Sequence, residues 1–96
     1  MRKLPIYKYL DISTAHITKK TDEYLQRQIE NYNSPLIVYK KEYGYFICVP
    51  WELDDIEMYI PSDLASCLGF ARKHNCQWLI LDCDAEVIDK LETYEW

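Results

Sequence analysis

Glycine is nearly missing from this chain of 96 residues: Gly44 and Gly69 are the only two. A glycine-rich loop that wraps phosphate in backbone N–H groups cannot be built from them, which excludes the common nucleotide-binding motifs. No apolar run approaches the roughly 18 residues needed to cross a bilayer. Behind Met1-Arg2-Lys3-Leu4, Lys8 and Asp11 interrupt any apolar export leader. The expectation is a cytoplasmic chain with no membrane contact. The four cysteines, Cys48, Cys67, Cys76 and Cys83, never form a C-x-x-C pair. Metal sites usually take two ligands from one turn, because a close pair costs little extra ordering. No metal and no cofactor are therefore expected, and the thiols should be free, as a reducing compartment keeps them. Cys48, in a strand pattern, and Cys67, on a helix stripe, read as small buried hydrophobes.

Hydrophobic residues make up 49% of the chain and charged residues 28%, enough to fold a core and too apolar for wholesale disorder. The length suits one domain, residues 1–96. The net charge of −5 is unevenly spread: residues 1–50 carry 8 basic and 5 acidic side chains, residues 51–96 carry 3 and 11. The second half repels phosphate backbones and attracts basic surfaces. Acidic side chains also simply keep small proteins soluble.

Periodicity gives the elements. From Leu4 to Ile12 the chain alternates, with Leu4, Ile6, Leu10 and Ile12 on one side and Tyr7, Tyr9 and Asp11 on the other, which is a strand. Thr18 can cap a following helix on which Leu25, Ile29 and Tyr32 share a face, and Asn33-Ser34-Pro35 stops it. Leu36–Tyr39 and Tyr45–Val49, separated by a short stretch with Gly44, predict an antiparallel hairpin. Trp51–Tyr59 is acidic and irregular. Pro61 opens a helix with Leu64, Cys67, Leu68 and Ala71 in one stripe, ended by Asn75 in a left-handed stop. Trp78–Leu81 reads as a buried strand, followed by an acidic tail. The order β-α-β-β-α-β predicts an α+β fold: two helices on one face of a four-stranded, mainly antiparallel sheet, as in ferredoxin-like domains.

Four constellations could carry chemistry. Asp11-Ile12-Ser13-Thr14-Ala15-His16 places a His beside hydroxyls and a carboxylate, the ingredients of a general base; ordinary loop chemistry accounts for the same residues. Asp82-Cys83-Asp84 after the last strand could hold magnesium. With Asp11 and His16 it would make a small metal-dependent hydrolase. In the ferredoxin-like arrangement the first and last strands are antiparallel, so Asp11 and Asp82 would leave at opposite ends; only a parallel pairing would bring them together. Lys41-Glu42-Tyr43-Gly44-Tyr45-Phe46-Ile47-Cys48 resembles the third-strand motif of single-strand RNA-binding domains, which stack bases on sheet aromatics, here Tyr7, Tyr43 and Tyr45. Glu42, Cys48 and the negative charge depart from that pattern. Finally, nine Tyr and three Trp exceed what so small a core needs, and both residues are favoured in interfaces.

Leu10-Asp11-Ile12-Ser13-Thr14-Ala15-His16-Ile17-Thr18, Pro61–Ala65, Leu81–Asp84 and Thr93-Tyr94-Glu95-Trp96 together resemble a small uncharacterised domain family carried by bacteria and their mobile elements. The resemblance marks Asp11, His16, Asp82 and Trp96 as family-typical and implies no activity. The functional expectation is a non-enzymatic interaction domain that docks an acidic and aromatic surface, Tyr7, Tyr9, Tyr43, Tyr45, Asp54, Asp55 and Glu57, onto a protein partner with a basic surface. That partner would be a nucleic-acid-handling host protein inhibited or modulated by competition with phosphate. Nucleic acid is the less favoured partner, and a homodimer is a further option for an aromatic face.

Overall fold

The computed structural model describes residues 4–31 and 33–96. Tyr32, expected to close the stripe of the first helix, and the opening residues 1–3, read for an export leader, lie outside the described residues. The chain runs through β1 (Tyr9–Ser13), a 3₁₀ turn (Thr14–His16), α1 (Lys19–Gln28), β2 (Val38–Lys41), β3 (Gly44–Cys48), α2 (Leu53–Ile56), a second 3₁₀ turn (Glu57–Tyr59), α3 (Ser62–Lys73) and β4 (Trp78–Asp82). It is an α+β fold with a four-stranded mixed sheet. Among the described residues no helix is long and apolar enough to cross a membrane.

The strand order is β1-β4-β3-β2. β1 pairs parallel with β4, while β4–β3 and β3–β2 are antiparallel. This corrects the ferredoxin-like expectation, in which the first and last strands run in opposite directions. The cause is the segment read as irregular. A single helix after β3 would return the chain parallel to β3. Here α2 and its 3₁₀ turn first carry it back across the helical layer, anchored by Leu53, Ile56 and Ile60. α3 then runs the other way, and β4 starts where β3 ended, with Val49 N–H donating to the Gln77 carbonyl at 2.8 Å.

Alternation sorts the side chains. Ile12, Leu79, Leu81, Tyr45, Ile47 and Val38 lie beneath the helices, each worth about 1.5–3 kcal/mol in removing apolar area from water. α3 covers them with Leu64, Cys67, Leu68 and Ala71, the stripe that its sequence predicts. α1 adds Leu25. Two expectations shift. The first strand begins only at Tyr9, and Leu4 and Ile6 are exposed. β4 is buried on one face only, since Trp78 and Ile80 are half-exposed.

The two long helices start at the same end of the sheet and share a cap. The Thr18 hydroxyl accepts from Thr21 N–H at 3.2 Å, as an N-cap should. Asp63, in the first turn of α3, accepts from Thr18 N–H and from the Thr21 hydroxyl, both at 2.7 Å. One carboxylate thus closes α1's start while sitting at the positive end of α3. Asn75 follows α3 at φ 62°, in the left-handed stop that Asn tolerates.

Gly44 is fixed by close approach. A Cβ added there would lie 1.7 Å from the Leu81 carbonyl oxygen. Gly44→Ala should therefore force β3 away from β4 and lower stability by about 3 kcal/mol, read from the urea midpoint at unchanged m-value.

Candidate interaction face and the His16 clip

The face of the sheet opposite the helices is built in three rows by the strand registers. Tyr9, Trp78 and Cys48 form the first; Asp11, Ile80, Phe46 and Tyr39 the second; Ser13, Asp82, Gly44 and Lys41 the third. Tyr9 and Tyr39 are 61% and 57% exposed, and Phe46 is 36% exposed. The Tyr39 and Trp78 rings lie 6.2 Å apart, tilted by 33°. Among the described residues no hydrogen bond ties the C-terminal tail to Tyr9, Tyr39, Phe46, Trp78 or Ile80, while Ser13 in the third row is buried and donates its N–H to the Glu86 carbonyl. The C-terminal tail passes instead beside the 3₁₀ turn after β1, where Tyr94 N–H donates to the Ala15 carbonyl at 2.8 Å and Trp96 Nε1 to the Ile17 carbonyl at 2.8 Å.

The expected docking residues do not form one surface. Tyr7 is exposed just before β1, Tyr9 is on the open face, and Tyr43 is exposed in the β2–β3 turn at φ 65°. Tyr45 is a correction: it is 1% exposed, inside the core. Its hydroxyl donates to Asp22 Oδ1 at 2.7 Å, and burial with that hydrogen bond drives its pKa far above the usual phenol value. Asp54, Asp55 and Glu57 are exposed on α2 and the turn that follows it, in the helical layer and away from the rings. Tyr39, Trp78, Ile80 and Lys41, which the sequence reading did not assign to the surface, supply much of the open face.

The parallel pairing of β1 with β4 puts Asp11 and Asp82 on the same face. Asp82 is already engaged. Its Oδ2 forms an ion pair with Lys41 Nζ, and its Oδ1 accepts from Asp84 N–H at 2.8 Å. Gly44 lies between the two partners in the third row and carries no side chain to block the lysine. The Lys41 hydrogen bond holds the Asp82 carboxyl below its usual range, and the same bond raises the Lys41 amine. Asp82, Cys83 and Asp84 offer atoms within 4.8 Å of one another, in a turn where the Asp82 carboxylate serves both that ion pair and that backbone bond.

His16 stands apart from these carboxylates. It is 1% exposed. Its Nδ1 lies 2.8 Å from the Glu92 carbonyl, and its Nε2 accepts Ile88 N–H at 3.0 Å. The pairing requires a neutral ring protonated at Nδ1 and leaves no nitrogen for general-base work. Cys67, beside it, donates its thiol to the His16 carbonyl at 3.7 Å, and burial pushes that thiol up to about 12, far from a nucleophile's range. His16, Asp63, Ser66, Cys67, Lys90 and Glu92 line a cleft of about 310 Å³ in which the imidazole and the thiol are thus both occupied.

The chain matches the family of unknown function DUF5983, C-terminal domain, over residues 9–96. The chain belongs to this family. No curated protein and no solved structure matches it. The DUF5983 match takes in β1 and the whole sheet as well as His16 and Trp96, the two side chains that tie the tail to the turn after β1.

Two outcomes follow for this DUF5983 domain. His16→Ala leaves the Glu92 carbonyl and the Ile88 amide without partners and should cost about 3 kcal/mol, with faster hydrogen exchange at Ile88 and cleavage of the tail by protease. Lys41→Met should move the Asp82 carboxyl titration upward, read by carboxyl ¹³C shifts. The sign is fixed by linkage. In the wild type the lowered Asp82 value stabilises the fold above the ordinary carboxylate range and is lost as pH falls through it. The raised Lys41 value stabilises below the ordinary lysine range and is lost as pH rises through it.

Proposed function

We propose that this domain is a docking module: it binds a protein partner through the open sheet face, and the partner's contact surface is basic. The observation that carries the reading is the wall of exposed Tyr9, Tyr39 and Phe46 with half-exposed Trp78 and Ile80 between them. Soluble proteins rarely leave contiguous apolar patches of more than a few hundred Å² without a use for them, and Tyr and Trp supply large contact area with few rotors to freeze. The sign of the partner follows from Asp11 in the middle row of the wall, from Glu42 in the adjoining turn and from the eleven acidic residues between positions 51 and 96. Such a field draws in basic surfaces from beyond contact range. A nucleic-acid-handling protein has a surface of that kind, and occupying it would compete with phosphate; that is the reading favoured for a modulator of such a protein. Single-stranded RNA is the weaker candidate. Tyr45, one of the three rings it would use, is in the core, and the face carries a carboxylate where phosphate contact favours cations.

The test is a titration of isotope-labelled protein with a lysine- and arginine-rich polypeptide and, in parallel, with oligouridine. The polypeptide should shift amides along β1, β4, β3 and β2, bind at least about fivefold more weakly near 0.5 M salt, and lose binding to Tyr39→Ser/Phe46→Ser. Shifts from oligouridine at equal concentration, or a polypeptide that moves no sheet amide, would overturn the reading.

A further inference from the structure

The charges on the open face are not all accounted for internally. Asp82 is answered by Lys41. Asp11 lies within electrostatic range of Lys41, but among the described residues its carboxylate has neither an ion pair nor a hydrogen bond. It sits in the middle row, in register with Ile80, and about 7 Å along the strand from Tyr9. Tyr9 in turn faces Trp78 across the strand pair. Among the described residues the wall therefore presents an anion without a hydrogen-bonded partner beside Tyr9 and Trp78.

That combination restricts what can lie on it. An apolar partner would strip water from Asp11 without replacing it, at a cost of several kcal/mol. A cation is needed, and the neighbouring rings decide which. A lysine ammonium is a compact, strongly hydrated point charge. A guanidinium is planar and weakly hydrated, forks onto a carboxylate and stacks flat on Tyr or Trp. Trp78 is partly buried and meets the Tyr39 ring at 6.2 Å over its small register partner Cys48, so the exposed Tyr9 is the freer ring. The face already holds one cation against a ring within the chain, with Lys41 Nζ 5.9 Å from the Phe46 ring centre.

We infer that the open face reads arginine: a partner guanidinium pairs with the Asp11 carboxylate and stacks on the Tyr9 ring. This rests on the docking reading above and adds the side-chain chemistry of the partner. No covalent step is involved; the site is one of recognition.

Two short peptides of equal length test it by fluorescence anisotropy, one built from arginine and leucine, the other from lysine and leucine. The arginine peptide should bind about tenfold more tightly. Asp11→Asn and Tyr9→Leu, both at exposed positions, should each bring the two affinities close together with little change in melting temperature. Equal affinities for the wild type, or a preference that survives Asp11→Asn, would overturn the arginine inference. In that event docking itself stands if Tyr39→Ser/Phe46→Ser still weakens both peptides, and falls with it if that double variant binds them as the wild type does.

Discussion

Ser13 lies opposite Asp82 and Tyr9 opposite Trp78, and this parallel register decides where every chemically capable side chain of the domain ends up. Strand side chains alternate with a period of two, so a slip of one residue would exchange the two faces of a strand. The covered face prevents it. Ile12 on β1 and Leu79 and Leu81 on β4 are at most 1% exposed, and turning them outward would forfeit several kcal/mol for each strand. The rings and carboxylates on the other face are therefore held in place by residues they do not touch. Gly44 adds a second constraint from the opposite side of β4, since only a residue without a side chain lets β3 approach the Leu81 carbonyl so closely.

The end of the sheet where both long helices begin is tied together by polar groups as well as by the burial of Ile12, Ile17 and Leu64. Asp63 serves α1 and α3 at once, His16 clamps the tail by two backbone bonds, and the Trp96 indole closes on Ile17. A buried imidazole bonded at both nitrogens is a structural part, as is a buried thiol whose pKa has been driven up. The groups that a reader of the sequence would first suspect of catalysis are thus consumed in holding the chain. The ring-bearing wall and the Asp11 carboxylate take no part in these ties among the described residues.

The elements themselves were largely legible. The α3 stripe of Leu64, Cys67, Leu68 and Ala71, the Thr18 cap, the hairpin around Gly44 and the Asn75 stop all follow from local rules that tertiary contacts reinforce. Strand direction was not legible, because it turns on whether Trp51–Tyr59 crosses the molecule, and that depends on Leu53 and Ile60 finding the core rather than on any local pattern. The face of Tyr45 was hidden for another reason. Tyr45-Phe46-Ile47-Cys48-Val49 is apolar throughout, so no alternation marks inside from outside. Burial goes to the tyrosine because Asp22 on α1 can accept its hydroxyl, while Phe46 faces Tyr39 and Ile80 in the open row. Trp78-Leu79-Ile80-Leu81 was ambiguous in the same way. His16 could not be assigned to the tail, since its partners are backbone groups 72 and 76 residues away, and any sequence would supply those.

The split between rings and charge has a consequence for how docking would work. Asp54, Asp55 and Glu57 lie in the helical layer, so they cannot form the contact that the rings make. Their field nevertheless extends about a Debye length, roughly 8–10 Å, into solvent at physiological salt. Charges of this kind raise encounter rates and leave the bound complex little changed. Asp11 differs because a partner seated on the wall excludes water from it, and in that setting a matched cation and a mismatched one differ by far more than at the surface. Selectivity in the proposed docking therefore belongs to one carboxylate among the rings, and speed to the acidic residues behind them, so the two properties can vary independently along the same chain.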